Sequence, residues 1–331
     1  MGLEASQLLQ DRVADDARPL PVSLPMERVD SIDRLRVLAA IGIVWFHTEG
    51  APYRQIGYAG LPVFLLIFFS LITVRSTADP ALGFLRRRWD RLLKPWLFWS
   101  ALYGALRLAK AAYLRDTPSC QEMLSLETIL MGTHVHLWYL PYAFGSGCLV
   151  YWVNRRTAQI DHAFAAFVAT GIGLLLLVAH VLGLSTGQLM RPLPQWEFGL
   201  AAVPLGFAVG RCLMVPERRT QQFLLSAVAL TTLATAAVLS AAVGPMSSAI
   251  PYTLAVVLVC LAYGRRTNDS VVVALLAPLT FGIYLIHPLI NYGLGQFVAS
   301  EQHCAAFIGL TVCLSGLVTL ALMRTPVRRF L

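Results

Sequence analysis

RVDSIDRLRVLAAIGIVWFHTE, residues 28–49, decides how the rest of the chain is read. It opens in mixed charge, with Arg28, Asp30, Asp33, Arg34 and Arg36. It then passes through an apolar run and closes on His47 and Glu49. Arg36 and His47 stand eleven residues apart. At about 100° per residue that is about 1100°, three turns plus about 20°, so both side chains fall on one helix face. At about 1.5 Å per residue they lie roughly 16 Å apart along the axis. A cation at a membrane edge and an imidazole deep in the same stripe have no use on a helix that only faces lipid.

The surrounding composition explains the apolar run. Of 331 residues, 57% are hydrophobic and 13% charged, against about 25% charged in a typical soluble domain. The expected fold is therefore all-α and polytopic, a bundle of transmembrane helices. A net charge of +8 would also suit a nucleic-acid binder. The charges, however, fall in short clusters between apolar runs, as in cytoplasmic loops, so no nucleic-acid partner is expected. The cysteines Cys120, Cys148, Cys212, Cys260, Cys304 and Cys313 show no metal or redox spacing and read as small apolar residues. Residues 1–27 have no apolar core and carry Asp11, Asp15 and Asp16. They read as a flexible cytoplasmic tail rather than a signal peptide, with the membrane domain covering 28–331.

About ten apolar segments can be marked, at roughly 35–52, 57–75, 92–112, 137–153, 161–183, 195–212, 221–241, 248–264, 272–293 and 303–323. A span needs about 20 residues. With the N-terminus inside, one side receives Arg34, the 75–94 linker, Arg155 and Arg156, Arg211, Arg218 and Arg219, Arg265 and Arg266, and Arg324, Arg328 and Arg329. The other side holds Arg54, Arg115 and Arg191. This alternation predicts both termini inside. No repeat and no soluble domain are visible, so any chemistry belongs to the bundle itself.

An ionisable group inside a span costs about 2.5–3.5 kcal/mol on insertion scales and marks function by default. His47 is the first candidate, because imidazole titrates near neutrality and can act as a general base. Glu49 lies about 200° away around the helix and would reach His47 only if the helix ends near Gly50 and Pro52. Arg36 can pair with Asp33 at i−3 and still keep donors for an anion. In FLRRRWDRLLKPW (84–96), Arg87, Arg88 and Arg91 recur at helical spacing and would form a basic face with Lys94 nearby; arginine forks suit phosphates. HVHLWYLPYAF (134–144) places His134, His136, Trp138 and Tyr139 at a membrane entrance, where an aromatic belt is the competing explanation. In FGIYLIHPLI (281–290), Tyr284 and His287 share a face, and Pro288 frees a carbonyl and would kink the helix. His180 and Glu197 are the remaining in-span ionisable groups. No ligand spacing points to a metal.

These stretches, in this order, resemble the acyltransferase-3 family of integral membrane O-acyltransferases. IDRLR with Arg36, followed by His47, resembles its opening segment. GLPVFLLIFFSLI (60–72) resembles its second helix, RWDR with Pro95 its basic linker, HLWYL (136–140) its entrance helix and YLIHP (284–288) its late helix. Two departures stand out: Phe68 and Phe69 where the family usually has Ser-Gly, and Arg34 where Gly is usual.

The resemblance implies an O-acyltransferase, expected to be an O-acetyltransferase of the plasma (inner) membrane. The donor would be cytoplasmic acyl-CoA (acetyl-CoA) and the acceptor a cell-surface polysaccharide or lipid-linked sugar. It implies His47 as base, Arg36 in support, and Arg88 and Arg91 on the donor. The reading of the residues themselves adds Glu49 beside His47, Arg87 and Lys94 beside the donor, and His136, Trp138, Tyr139, Tyr284 and His287 around the substrate. It leaves room for an oligomer in the bilayer. The competing expectation is a transporter or flippase without covalent chemistry, against which stands the absence of paired mid-membrane acids. An inactive sensor that kept the fold would be motivated by Phe68 and Phe69.

Overall fold

A computed structural model describes residues 30–75, 80–115, 125–184, 190–244, 249–265 and 270–331. The N-terminal tail, Arg28, Cys120 and Arg266 lie outside the described residues. Within them every regular element is helical and there is no strand. The main helices are α1 (Asp30–His47), α2 (Gly60–Arg75), α3 (Ala81–Arg88), α4 (Lys94–Leu114), α5 (Tyr139–Arg156) and α6 (His162–Val181). They continue with α7 (Leu193–Leu200), α8 (Ala202–Leu213), α9 (Arg218–Val243), α10 (Ala249–Gly264), α11 (Thr280–Leu294) and α12 (Cys304–Met323).

Six helical stretches of the described residues are long and apolar enough to cross a membrane: Arg54–Arg75, His162–Val181, Leu193–Leu213, Arg218–Ala242, Val271–Leu294 and Cys304–Met323. The other expected segments are helical too, but short or interrupted by charge. Asp30, Asp33, Arg34 and Arg36 crowd α1, Arg107 and Lys110 sit in α4, and Asn154, Arg155 and Arg156 end α5. Helix α10 has 16 residues.

Phe167 and Leu175 on α6, Phe223 and Val238 on α9 and Leu317 on α12 all point outward and are exposed. Apolar belts of this size are stable only against lipid.

Helix α2 is the centre. It packs on α1, α5, α8 and α10, and Leu65, Leu66, Phe69 and Ile72 are fully buried. Its large side chains at 68 and 69 are matched by glycines across the interface. A Cβ on Gly206 of α8 would lie 2.7 Å from Phe69 Cβ, and one on Gly147 of α5 would lie 3.2 Å from the Phe68 ring. Small residues on one helix thus admit large ones on its neighbour, the usual solution where lipid supplies no hydrophobic drive between helices.

The structure gives partners to three ionisable groups within the bundle. Arg211, at the inner end of its segment by sequence, is fully buried at the end of α8. Its guanidinium donates to Thr157 O at 2.9 Å, to Ile160 O at 2.7 Å and to Asn154 Oδ1 at 3.4 Å, which ties α8 to the turn after α5. His180 and Glu197 pair with each other, Nδ1 to Oε1, at 2.9 Å, so these in-span groups partner one another across α6 and α7.

Candidate active site

A cavity of about 460 Å³ opens between α1, α2, the basic linker, α5 and α11. That is within the size range of small-molecule sites. Phe64, Phe68, Leu71 and Arg75 line it from α2. Their spacing of four, three and four residues makes a single helical stripe. Arg36 and Ile43 line it from α1, seven residues apart on the stripe that leads to His47.

One end of the cavity is basic. Arg36, Arg75, Arg88, Arg91 and Arg329 line it, with Asp90 as the acidic residue in the wall. Arg36 donates to Asp33 Oδ1 at 3.2 Å and reaches the cavity as well, so the ion pair and the cavity role coexist. The Arg88 guanidinium lies 5.0 Å from the centre of the Phe68 ring and 5.2 Å from that of Phe84, a cation–π clamp that orients its fork. Between α3 and α4 the chain takes a π-helical turn, Trp89–Leu93, a feature frequent at functional sites. Asp90, Arg91 and Leu92 of this turn all face the cavity.

The other end is aromatic. Tyr139 and Tyr284 close it, with ring centroids 5.6 Å apart. The Tyr284 hydroxyl donates to the carbonyl of His136, which joins the cavity to a layer of histidines. His287 stands 5.2 Å from His47 and 5.7 Å from His136, ring centre to ring centre. His136 and His134 approach at 2.6 Å between Nδ1 atoms, so one must carry the proton that the other accepts. Burial, and then the charge of Arg107, hold His134 below the usual imidazole value of 6.5. Tyr103 packs on both rings and donates to Leu285 O at 2.8 Å.

The state of His287 follows from the sequence around it. Pro288 has no N–H, which leaves the carbonyl of Tyr284, four residues back, without its helical donor. His287 Nδ1 donates to that carbonyl at 2.8 Å. Carbonyls only accept, so the proton sits on Nδ1 and Nε2 carries the lone pair. His287 is fully buried, and its Nε2 has no partner among the described residues. The result is a buried acceptor held beside His47. Helix α11 continues through Pro288, and a 3-10 turn, Ala277–Leu279, leads into it.

The expected site residues divide into groups. Arg36, Arg88, Arg91, Tyr139 and Tyr284 line the cavity. His47, His136 and His287 form the histidine layer. The cavity wall stops at Ile43, one turn short of His47. Arg87 and Lys94 are outside the wall, and Lys94 instead bridges Asp90 at 2.6 Å.

Trp138 is buried against Tyr142 in the core. Helix α1 does end at His47, with Gly50 at φ 71° beyond it. Even so Glu49 is exposed, and no hydrogen bond or ion pair joins it to His47 among the described residues.

Arg75, Phe64 and Arg329 were not singled out by the sequence. The Phe64–Arg75 stripe was legible at helical spacing, whereas nothing local marks Arg329. Among the described residues no group of three or more His, Cys, Asp or Glu side chains is arranged to hold a metal.

The arginine-lined cavity and the histidine layer beside it form one candidate site within the helical bundle. The chain matches the acyltransferase domain of the acyltransferase-3 family over residues 29–323, nearly its whole length, and belongs to that family. It is a multi-pass membrane acyltransferase. No curated protein and no solved structure matches it.

Proposed function

We propose that the protein moves an acyl group, expected to be acetyl, from cytoplasmic acyl-CoA to a hydroxyl of a cell-surface polysaccharide or lipid-linked sugar, with His47 as general base. The observation that carries this reading is the polarity of the cavity. Five arginines line one end, two tyrosines close the other, and the histidine layer begins one helical turn beyond. Such a cavity suits a donor with phosphates at one end and a thioester at the far end of a thin arm.

With both termini inside, the arginines face the cytoplasm, where the donor is made, and His47 lies toward the outer face. The proposed step begins when the unprotonated nitrogen of His47 takes the proton of the acceptor hydroxyl. The hydroxyl oxygen attacks the thioester carbonyl carbon. The carbon–sulfur bond breaks, and the thiolate leaves and recovers the proton from the imidazolium. His287 Nε2, as a fixed acceptor, holds a neighbouring hydroxyl of the acceptor, since the single proton of the attacking hydroxyl goes to His47. Arg36, Arg88 and Arg91 hold the donor phosphates.

His47→Ala should abolish acyl transfer, with a loss of at least about 100-fold, the low end of general-base contributions. The measurement is mass spectrometry of surface glycans in cells with matched protein levels. Transfer at the wild-type rate would reject the base assignment.

A further inference from the structure

Arg329 reaches the cavity from the far end of the chain. It sits in the turn Pro326–Phe330, more than 230 residues after Arg91, and with Leu331 it forms part of the cavity wall. The segment lies beyond the residues matched to the acyltransferase family, which end at 323.

Its position is built. Thr325 Oγ1 accepts from Val327 N at 3.2 Å and starts the turn. Trp99 Nε1 of α4 donates to Phe330 O at 3.0 Å. The Phe330 ring stacks on Phe98 at 4.5 Å with 2° between the planes. A hydrogen bond and a ring stack on Phe330, the residue after Arg329, therefore hold the turn against the same helix that carries Pro95 into the cavity wall.

The charge balance gives the turn a purpose. Asp33 is paired with Arg36 and Asp90 with Lys94. Among the described residues no carboxylate pairs with Arg75, Arg91 or Arg329. Guanidinium groups gathered at a cavity mouth repel one another and call for a multivalent anion. Positive loops on the cytoplasmic side account for an arginine in this segment, but not for a docked turn that turns one into the cavity wall.

We propose that the C-terminal turn is a component of the donor site, and that Arg329 is a further ligand for the phosphate groups of the thioester donor. This rests on the reading of the cavity as an acyl-CoA site. Phosphate esters also occur on lipid headgroups, and the test separates the two sources.

The full chain in nanodiscs of zwitterionic lipid is titrated with coenzyme A by calorimetry. Arg329→Ala raises Kd about tenfold, the scale of one charge-assisted hydrogen bond, and makes Kd less dependent on salt. Arg329→Lys retains most of the affinity. Phe330→Ala, which keeps the arginine but removes its anchor, weakens binding in the same direction. A wild type that binds coenzyme A while Arg329→Ala binds equally well overturns the assignment and leaves the donor reading standing. A wild type that binds no coenzyme A overturns the donor reading itself. A loss of affinity with unchanged salt dependence shows that the turn acts through folding alone and overturns the ligand role. An effect of Arg329→Ala seen only with anionic lipid assigns the residue to headgroups and overturns it as well.

Discussion

At the residue scale, the chemistry of the site turns on protons held by neighbours. Pro288 and His287 are adjacent in sequence, yet their effect is a single one. The missing N–H at 288 exposes the Tyr284 carbonyl, which takes the Nδ1 proton of His287 and leaves Nε2 as an acceptor. Pro288→Ala should therefore be a functional lesion rather than a folding one. A restored N–H competes for the Tyr284 carbonyl and releases the tautomer. Acyl-transfer turnover is expected to fall by about tenfold or more, since a histidine in the wrong tautomer loses its acceptor nitrogen. The thermal midpoint should hold or rise. Unchanged turnover would remove His287 from the site. Phe68 and Phe69 teach a different lesson. Two rings stand where the family usually has small residues, and Gly147 and Gly206 make room for them. One ring then clamps Arg88.

At the scale of elements, a buried cation does the joining. Arg211 has no exposed surface and donates to two carbonyls beyond the end of α5 and to Asn154. Asn154 in turn donates to Thr73 O of α2 at 2.9 Å. One side chain thus links α8, α5 and α2 close to Arg75. Arg211→Met should cost on the order of 3 kcal/mol, because it removes the donor and leaves buried acceptors unsatisfied. A fall in the thermal midpoint in detergent would report it. A midpoint equal to wild type would mean that water replaces the guanidinium.

The linker shows how element geometry overrides spacing. Arg87, Arg88 and Arg91 promise one basic face on a regular helix. The chain instead leaves α geometry at Trp89, and Arg88 and Arg91 face the cavity while Arg87 does not.

At the scale of the molecule, the bundle separates two chemistries along one axis, arginines at one end and imidazoles toward the other. The proposed function depends on orientation in the bilayer, which can be checked directly. In a cysteine-free background, Arg115→Cys should react with an impermeant maleimide added outside intact cells, and Arg219→Cys should not. The opposite pattern would invert the bundle and place the arginine-lined cavity on the side away from the proposed donor.

The helical class, the order of the segments and the pairing of Arg36 with a histidine eleven residues on could be read from the sequence alone. All three depend on local periodicity and hydropathy, which a linear chain carries in full. So do the Tyr284, His287 and Pro288 motif and the basic character of the linker. Tertiary structure decided the rest. It paired His180 with Glu197, buried Arg211, left Glu49 and Lys94 outside the cavity wall and brought Arg329 to the cavity mouth. These contacts join residues far apart in the chain or depend on which way a helix is turned, and both are set by packing across the bundle rather than by neighbours in sequence.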